Sequence, residues 1–302
     1  MRQVTLAVKT MALIDAMLEQ DQGALYRLTL QKVLPHLEDA YRGKDDAFRG
    51  HMGASMMGGS CGRAIWYSFR WYTKPHFPGR ILRLFNRGHL EEGRIIALLL
   101  AAGIEVWQQD ENGKQFRISG SHGHYGGSGD GIARGLPDLP PGTPVVLEFK
   151  THNDKSFASM VKDGVRASKL VHWVQTQQYM RKMGIAVTLY VAVNKNDDSL
   201  YMELIPIDTA AADQYIERAD KLIWMKEEPA RIGNPPSPGN FECKWCDHKP
   251  VCWLKAEPDR NCRTCAKSEP VQTGDAVWRC NLHNMDIPKE VQLTGCDWYV
   301  KR

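Results

Sequence analysis

The chain lacks any apolar run of membrane-spanning length. The longest, Ile95–Ile104, falls far short of the ~20 residues that a transmembrane helix needs. Residues 1–20 break their apolar positions with Lys9, Asp15 and Glu19, unlike the continuous apolar stretch of a secretory signal. A soluble, cytoplasmic protein with no membrane partner is therefore expected. A Walker-type phosphate loop, a dinucleotide-binding glycine loop and the C-x3-C-x2-C of radical enzymes are also missing. Without an ATP site the chain cannot unwind a duplex alone, so on nucleic acid it would act on ends or single strands, or beside a motor. Neither charge sign dominates: 39 Lys and Arg face 35 Asp and Glu, and the net +4 permits a nucleic-acid partner without requiring one. Hydrophobic (43%) and charged (25%) fractions are globular averages, which excludes disorder and collagen-like order. A length of 302 residues suits about two domains with a sizeable core.

What the chain does have is cysteine, unevenly placed. Of eight, seven fall between Cys243 and Cys296, and the eighth is Cys61. Two C-x2-C pairs without an export signal favour metal over disulfides. Cys243-x2-Cys246-x5-Cys252 supplies three thiolates, and Cys61 completes a set of four. Cys262-x2-Cys265 with the later Cys280 and Cys296 makes a second set. Two metal sites use every cysteine.

Apolar periodicity predicts two helical stretches over 5–42, broken near Asp21–Gly23, and a Gly-rich loop over 43–60 that leads to Cys61. Helices follow at about 62–72, at Gly88–Ala102, at 169–183 with Gly184 as the cap, and after Asp208. Strands are expected at Ile104–Gln109, Gln115–Ser119, Gly126–Arg134, Val145–Lys150 and Val187–Val193. Pro229, Pro235, Pro236 and Pro238 mark a stiff linker. This order predicts an α/β core with a mixed sheet.

Within that order lies an acidic constellation. Asp130 sits in Gly129-Asp130-Gly131, and Glu148-Phe149-Lys150 closes the apolar Val145–Leu147 run. On a strand Glu148 and Lys150 share a face while Phe149 packs behind. A carboxylate there is costly unless its charge is compensated, and a divalent cation shared with Asp130 would do so. Oxygen ligands suit Mg2+ or Mn2+. Lys150 would then reach the attacking water as general base, or stabilise charge on a pentavalent phosphorane. Metal-assisted hydrolysis of a phosphodiester fits these parts. His89 and Glu92 share a helix face upstream, and Gln175 and Tyr179 share another downstream. The latter pair could bind a phosphate or base, or cap the sheet edge.

His89, Asp130, Glu148-Phe149-Lys150 and Gln175-x3-Tyr179, in this order, resemble the PD-(D/E)XK nuclease superfamily in its RecB-like branch. Ser60-Cys61-Gly62-Arg63 before them and Cys243-x2-Cys246-x5-Cys252 behind resemble its iron–sulfur members, the CRISPR-associated exonucleases and AddB-type helicase–nucleases; Gly62 departs from the proline common there. The resemblance spans about 60–253. It implies a restriction-endonuclease-like α/β core, a central mixed sheet flanked by helices, with an iron–sulfur clip. It implies His89, Asp130 and Glu148 as metal ligands with the Phe149 carbonyl, Lys150 as the catalytic lysine, and Gln175 and Tyr179 as positioners of DNA. It implies a [4Fe–4S] cluster on Cys61, Cys243, Cys246 and Cys252. The stretch from Thr151 to Trp173 resembles phage-encoded nucleases of this type, which would put the protein in a host cytoplasm.

Cys262, Cys265, Cys280 and Cys296 resemble a zinc ribbon, with His283 competing for the fourth position. Such a site mainly folds a small tail; Arg260, Arg263, Lys267 and Arg279 could add a DNA contact. The expected organisation is an N-terminal helical region (1–50), a nuclease core (51–228), a linker with the iron–sulfur cysteines (229–256) and a zinc-binding tail (257–302). The expected activity is a Mg2+- or Mn2+-dependent deoxyribonuclease, an exonuclease of viral recombination, replication or repair. Its substrate would be single-stranded DNA or DNA ends, and a helicase or single-strand annealing protein would work beside it. The competing classes are a catalytically idle DNA-binding or assembly module and an iron–sulfur redox protein.

Overall fold

The structure is a computed structural model and describes residues 4–34 and 49–302. The end of the second N-terminal helical stretch and the start of the Gly-rich loop therefore lie outside the described residues. The chain divides into two compact units, each drawn from three separate segments.

The first unit comprises Met1–Asp45, Phe77–Ile118 and Ser128–Ala212. Its elements in chain order are α1 (Val8–Asp21), α2 (Ala24–Val33), α3 (Gly79–Ala101), β1 (Glu105–Trp107), β2 (Gly131–Arg134), β3 (Val145–His152), α4 (Asp154–Ser168), α5 (Leu170–Met183), β4 (Val187–Asn194) and β5 (Leu200–Pro206). The strands form one mixed sheet in the order β1-β2-β3-β4-β5. Only β3 and β4 run parallel, and α4 and α5 make the crossover that parallel neighbours require.

Alternation along the strands divides the sheet into two faces. Val145, Leu147 and Phe149 of β3 join Leu189, Val191 and Val193 of β4 and Met202 and Leu204 of β5 in one core. Ile14, Val33, Ile95, Ile96 and Leu99 of α1, α2 and α3 complete it. The opposite face carries Glu148, Lys150 and His152 beside Tyr190, and β3 and β4 make contact there with α4 and α5. The result is a mixed α/β unit with helices on both sides of its sheet.

Local chemistry sets the helix ends. Ala7 cannot cap α1, and the Asp138 carboxylate instead accepts the Lys9 and Thr10 N–H groups at 2.9 and 2.7 Å. Asp21 caps α2 through Ala24 and Leu25. Gly184 ends α5 with φ of +69°, as its position predicts. α3 begins nine residues before the expected Gly88; in its first turns only Ile81 and Leu84 are half-buried, and the rest of Arg80–Arg87 is exposed. α4 escaped the sequence reading since Gly164, at φ +74°, interrupts it. β5 was also not expected; it pairs along nearly all of β4.

The second unit comprises Asp46–His76, Ser119–Gly127 and Asp213–Arg302. Helix Gly62–Phe69 follows Cys61 and buries Ile65, Trp66, Tyr67 and Phe69. Strands Ser268–Pro270, Trp278–Cys280 and Met285–Ile287 form an antiparallel sheet. The tail is tied to the Cys61 helix region by buried polar groups. Asn261 Nδ2 donates to the Trp71 carbonyl at 2.9 Å, and the Arg263 guanidinium donates to the carbonyls of Phe69 and Gly50 at 3.2 and 3.0 Å. Arg263 also stacks 3.8 Å from the Trp71 ring, which with those bonds replaces the carboxylate that a buried cation usually needs. No helix among the described residues is long and apolar enough to cross a membrane.

Candidate functional site

Asp130 occupies the residue before β2. Gly131 follows at φ +152°, where a Cβ would stand 2.8 Å from the Trp107 carbonyl oxygen, so glycine is required to bring the acid to this point. Asp130 Oδ2 accepts the Phe149 N–H at 2.7 Å, so the side chain takes up a main-chain group just past the Gly131–Leu147 pairing. That bond brings Asp130 against the segment carrying Glu148 and Lys150.

Glu148 is fully buried, and both its oxygens are engaged. Oε1 accepts from the Lys150 ammonium and Oε2 from Gln175 Nε2 at 3.2 Å. Gln175 Nε2 also lies 3.2 Å from the Tyr179 hydroxyl. Gln175 and Tyr179 are both buried, and in this arrangement they hold Glu148. The Lys150 side chain is 26% exposed, so the site is not closed off completely by the surrounding protein.

The charges do not balance. Burial, then Glu148 and Glu92, push the Asp130 carboxyl well above its ordinary range. Burial also raises Glu148, against the opposing pull of Lys150, and Glu92 raises it further. Burial pulls Lys150 down, but Glu148 and Asp130 outweigh it and the ammonium is held above its ordinary range. Asp130 and Glu148 therefore crowd one ammonium, with Glu92 adding negative charge from further off, and such an arrangement suits a divalent cation. As they stand, however, no three His, Cys, Asp or Glu side chains among the described residues are grouped to hold a metal ion. Lys150 sits on the Glu148 oxygen that a cation would use.

Glu92 is the acid that sequence reasoning paired with His89 but did not place in the site. It acts on Asp130, Glu148 and Lys150 alike, whereas His89 reaches the group through Glu92, with Nδ1 3.7 Å from Glu92 Oε1. A second cluster went unread. His152 Nε2 and His172 Nδ1 both bond the Tyr190 hydroxyl, at 3.2 and 2.8 Å, and Tyr190 lies opposite Glu148 in the sheet. Burial pulls His152 down to about 4 and His172 to about 3, with Lys150 among the lesser causes, so both are neutral at physiological pH. The one available signal was the alternation Glu148-x-Lys150-x-His152.

A pH prediction follows for metal-free protein. Asp130 has a folded pKa above its unfolded value, so its contribution to stability is full below the ordinary carboxylate pKa and is lost as pH rises through the folded value. Asp130→Asn removes that loss and keeps an oxygen for the Phe149 N–H. Thermal melts in a chelator should show the variant ahead of the wild type by about 2–4 °C near neutral pH, the shift that ~1 kcal/mol produces in a domain of this size. The gap should close as pH falls through ~4; a gap independent of pH would contradict the burial of an ionised acid.

In the second unit all eight cysteines of the chain are free thiols. Cys61, Cys243, Cys246 and Cys252 line one pocket with Arg63, Tyr67, Arg231 and Lys249. Burial raises the Cys246 thiol, and a His248 backbone hydrogen bond opposes it; Cys61 and Cys243 add to the rise. In the second set, burial and then Cys296, Cys265 and Cys280 push Cys262 up to about 11. Cys265 and Cys280 accept main-chain N–H bonds from Lys267 and His283, each at 3.5 Å. Thiolates are donors for soft metals, but among the described residues neither set of four is gathered closely enough to hold an ion as it stands.

No family model matches the chain, and no curated protein matches it. Among solved structures, LHK-Exo in complex with dAMP is 17% identical, over 57% of this chain and 86% of that one, at a TM-score of 0.41. SSO0001 is 18% identical over 78% and 99%, at 0.40. The alkaline exonuclease LHK-Exo from Laribacter hongkongensis is 15% identical over 57% and 86%, at 0.40. At TM-scores below 0.5 these likenesses leave function to the chemistry of the site.

Proposed function

We propose that the chain is a Mg2+- or Mn2+-dependent deoxyribonuclease of the PD-(D/E)XK type, acting as an exonuclease on DNA ends or single strands. The observation that carries this reading is the meeting of Asp130, Glu148 and Lys150 at neighbouring strands, with Glu92 adding negative charge nearby. Asp130, Glu148 and Glu92 would hold the cation, with the Phe149 carbonyl and His89 as the further ligands that the resemblance implies. When bound, the cation supplies Lewis-acid stabilisation of charge on the phosphodiester.

The chain's own groups do the rest. Gln175, held by Tyr179, fixes the Glu148 carboxylate so that it keeps one orientation when Lys150 leaves it. The Phe149 N–H does the same for Asp130. Lys150, freed from Glu148, carries its ammonium toward solvent, where it stabilises charge at the scissile phosphate or moves a proton at Nζ. The tetrads Cys61/Cys243/Cys246/Cys252 and Cys262/Cys265/Cys280/Cys296 are proposed to hold a [4Fe–4S] cluster and Zn2+, both as structural clips. A viral role in recombination, beside a helicase or annealing protein, accords with this chemistry.

Linear DNA labelled separately at each end tests the reading. Anaerobically purified protein is expected to release label with Mg2+ or Mn2+ and none in chelator. Release that persists in chelator, or no release with either metal, would sink it.

A further inference from the structure

The first turns of α3 are exposed and carry one sign of charge. From Phe77 to Leu90 there is no acidic residue, whereas Arg80, Arg83 and Arg87 recur at helical spacing on one face. That stripe is about 10 Å long at 1.5 Å per residue. Beside it stand Leu82 and Phe85, 53% and 45% exposed, and the Phe85 ring meets Phe77 at 5.0 Å.

The stripe continues into the sheet rather than ending at the helix. The Arg87 guanidinium donates to the Lys195 carbonyl at 3.0 Å, which sets two cations side by side. Burial, and then Arg87, hold the Lys195 ammonium below its ordinary range. Lys195 N–H in turn donates to the His152 carbonyl at the end of β3. Lys169, Lys195 and Lys150 all act on His152, and Lys150 and Lys169 act on His172. Among the described residues, Asp198 faces Arg94 at 3.9 Å, while Asp154 and Asp197 accept from Asn194 and the Ser199 N–H, each at 2.9 Å; none of the three forms an ion pair with the track.

We infer that Arg80, Arg83, Arg87, Lys195 and Lys169 form a phosphate track that lays a nucleic-acid strand across this unit to Lys150. The occupant is a polyanionic strand, chosen by charge complementarity: an unbroken series of cations with like charges held together needs a partner that neutralises them in sequence. Phe85 and Leu82 offer apolar surface to bases without reading sequence. The track rests on the nuclease reading for its purpose, yet it can be measured without any cleavage.

Fluorescence anisotropy in chelator with a labelled single-stranded oligonucleotide of about 30 nucleotides isolates binding from chemistry. Arg80→Ala with Arg83→Ala changes two exposed side chains and should leave the circular dichroism unchanged. It is expected to weaken binding by ~10-fold or more at low salt and to reduce the slope of log K against log salt by ~1.4, since each phosphate contact on a single strand contributes ~0.7. A dinucleotide substrate, too short to lie along the helix, should be cleaved at the wild-type rate in metal. Unchanged affinity and slope in the double variant would overturn the track while leaving the nuclease reading intact. A loss confined to DNA supports the track, whereas equal loss for heparin, which carries sulfates and no bases, would overturn it in favour of a general anion surface. Tight DNA binding that the variant weakens, with no cleavage in metal, would retain the track and remove the nuclease.

Discussion

Lys150→Ala is expected to lower DNA cleavage by at least ~10³-fold, through turnover rather than affinity for DNA. Among the described residues Lys150 is the one cation bonded to Glu148, with no arginine or second lysine paired to it. The loss should appear in single-turnover rate with saturating metal and DNA, since Arg80 and Arg83 remain to bind the strand. Lys150→Arg should not restore the rate, because a planar fork on a buried carboxylate cannot reproduce a compact ammonium. Lys150→Ala leaves Asp130 and Glu148 without their ammonium, so in chelator both acids take up protons and the fold survives. A variant that cleaves at the wild-type rate would remove Lys150 from the chemistry.

Cys61→Ser is expected to have the other large effect, on the second unit. Cys61 stands at the N-terminus of helix Gly62–Phe69, while the other three thiols of its pocket lie more than 180 residues further on. A cluster across that gap closes a long loop, and its removal frees the chain at both ends. Wild-type protein prepared without oxygen should be brown and contain about four irons and one zinc per chain. Cys61→Ser should be colourless, retain its zinc, and lose protease resistance within 213–260 first. Cys280→Ser should lose zinc and keep its colour. Because Cys262 is pushed up to about 11, zinc loading must displace protons and should weaken as pH falls. Colourless anaerobic wild type holding only zinc would remove the cluster.

How legible this was depended on the range of each signal. Glu148 and Lys150 could be read because a strand alternates, and β3 does place them together with Phe149 behind in the core. Asp130 could be read from its flanking glycines, one of which is required by the approach of Trp107. The position of Glu92 could not be, since spacing puts it on a face with His89 but only the docking of α3 on the sheet decides which one meets the acids. The His152–Tyr190–His172 cluster joins three elements and leaves no local pattern. The pairing of distant cysteines came from counting thiols. The interleaved make-up of the two units rests on tertiary contacts that composition along the chain does not encode.

The acids around Lys150 are proposed to hold a hard cation. Calorimetric titration of Mn2+ into metal-free wild type and Glu148→Gln tests it most directly. Saturable binding to the wild type, with proton release from the raised carboxyls, and at least ~10-fold weaker binding to the variant are expected. Equal affinity in the two proteins, or no binding to either, would contradict it.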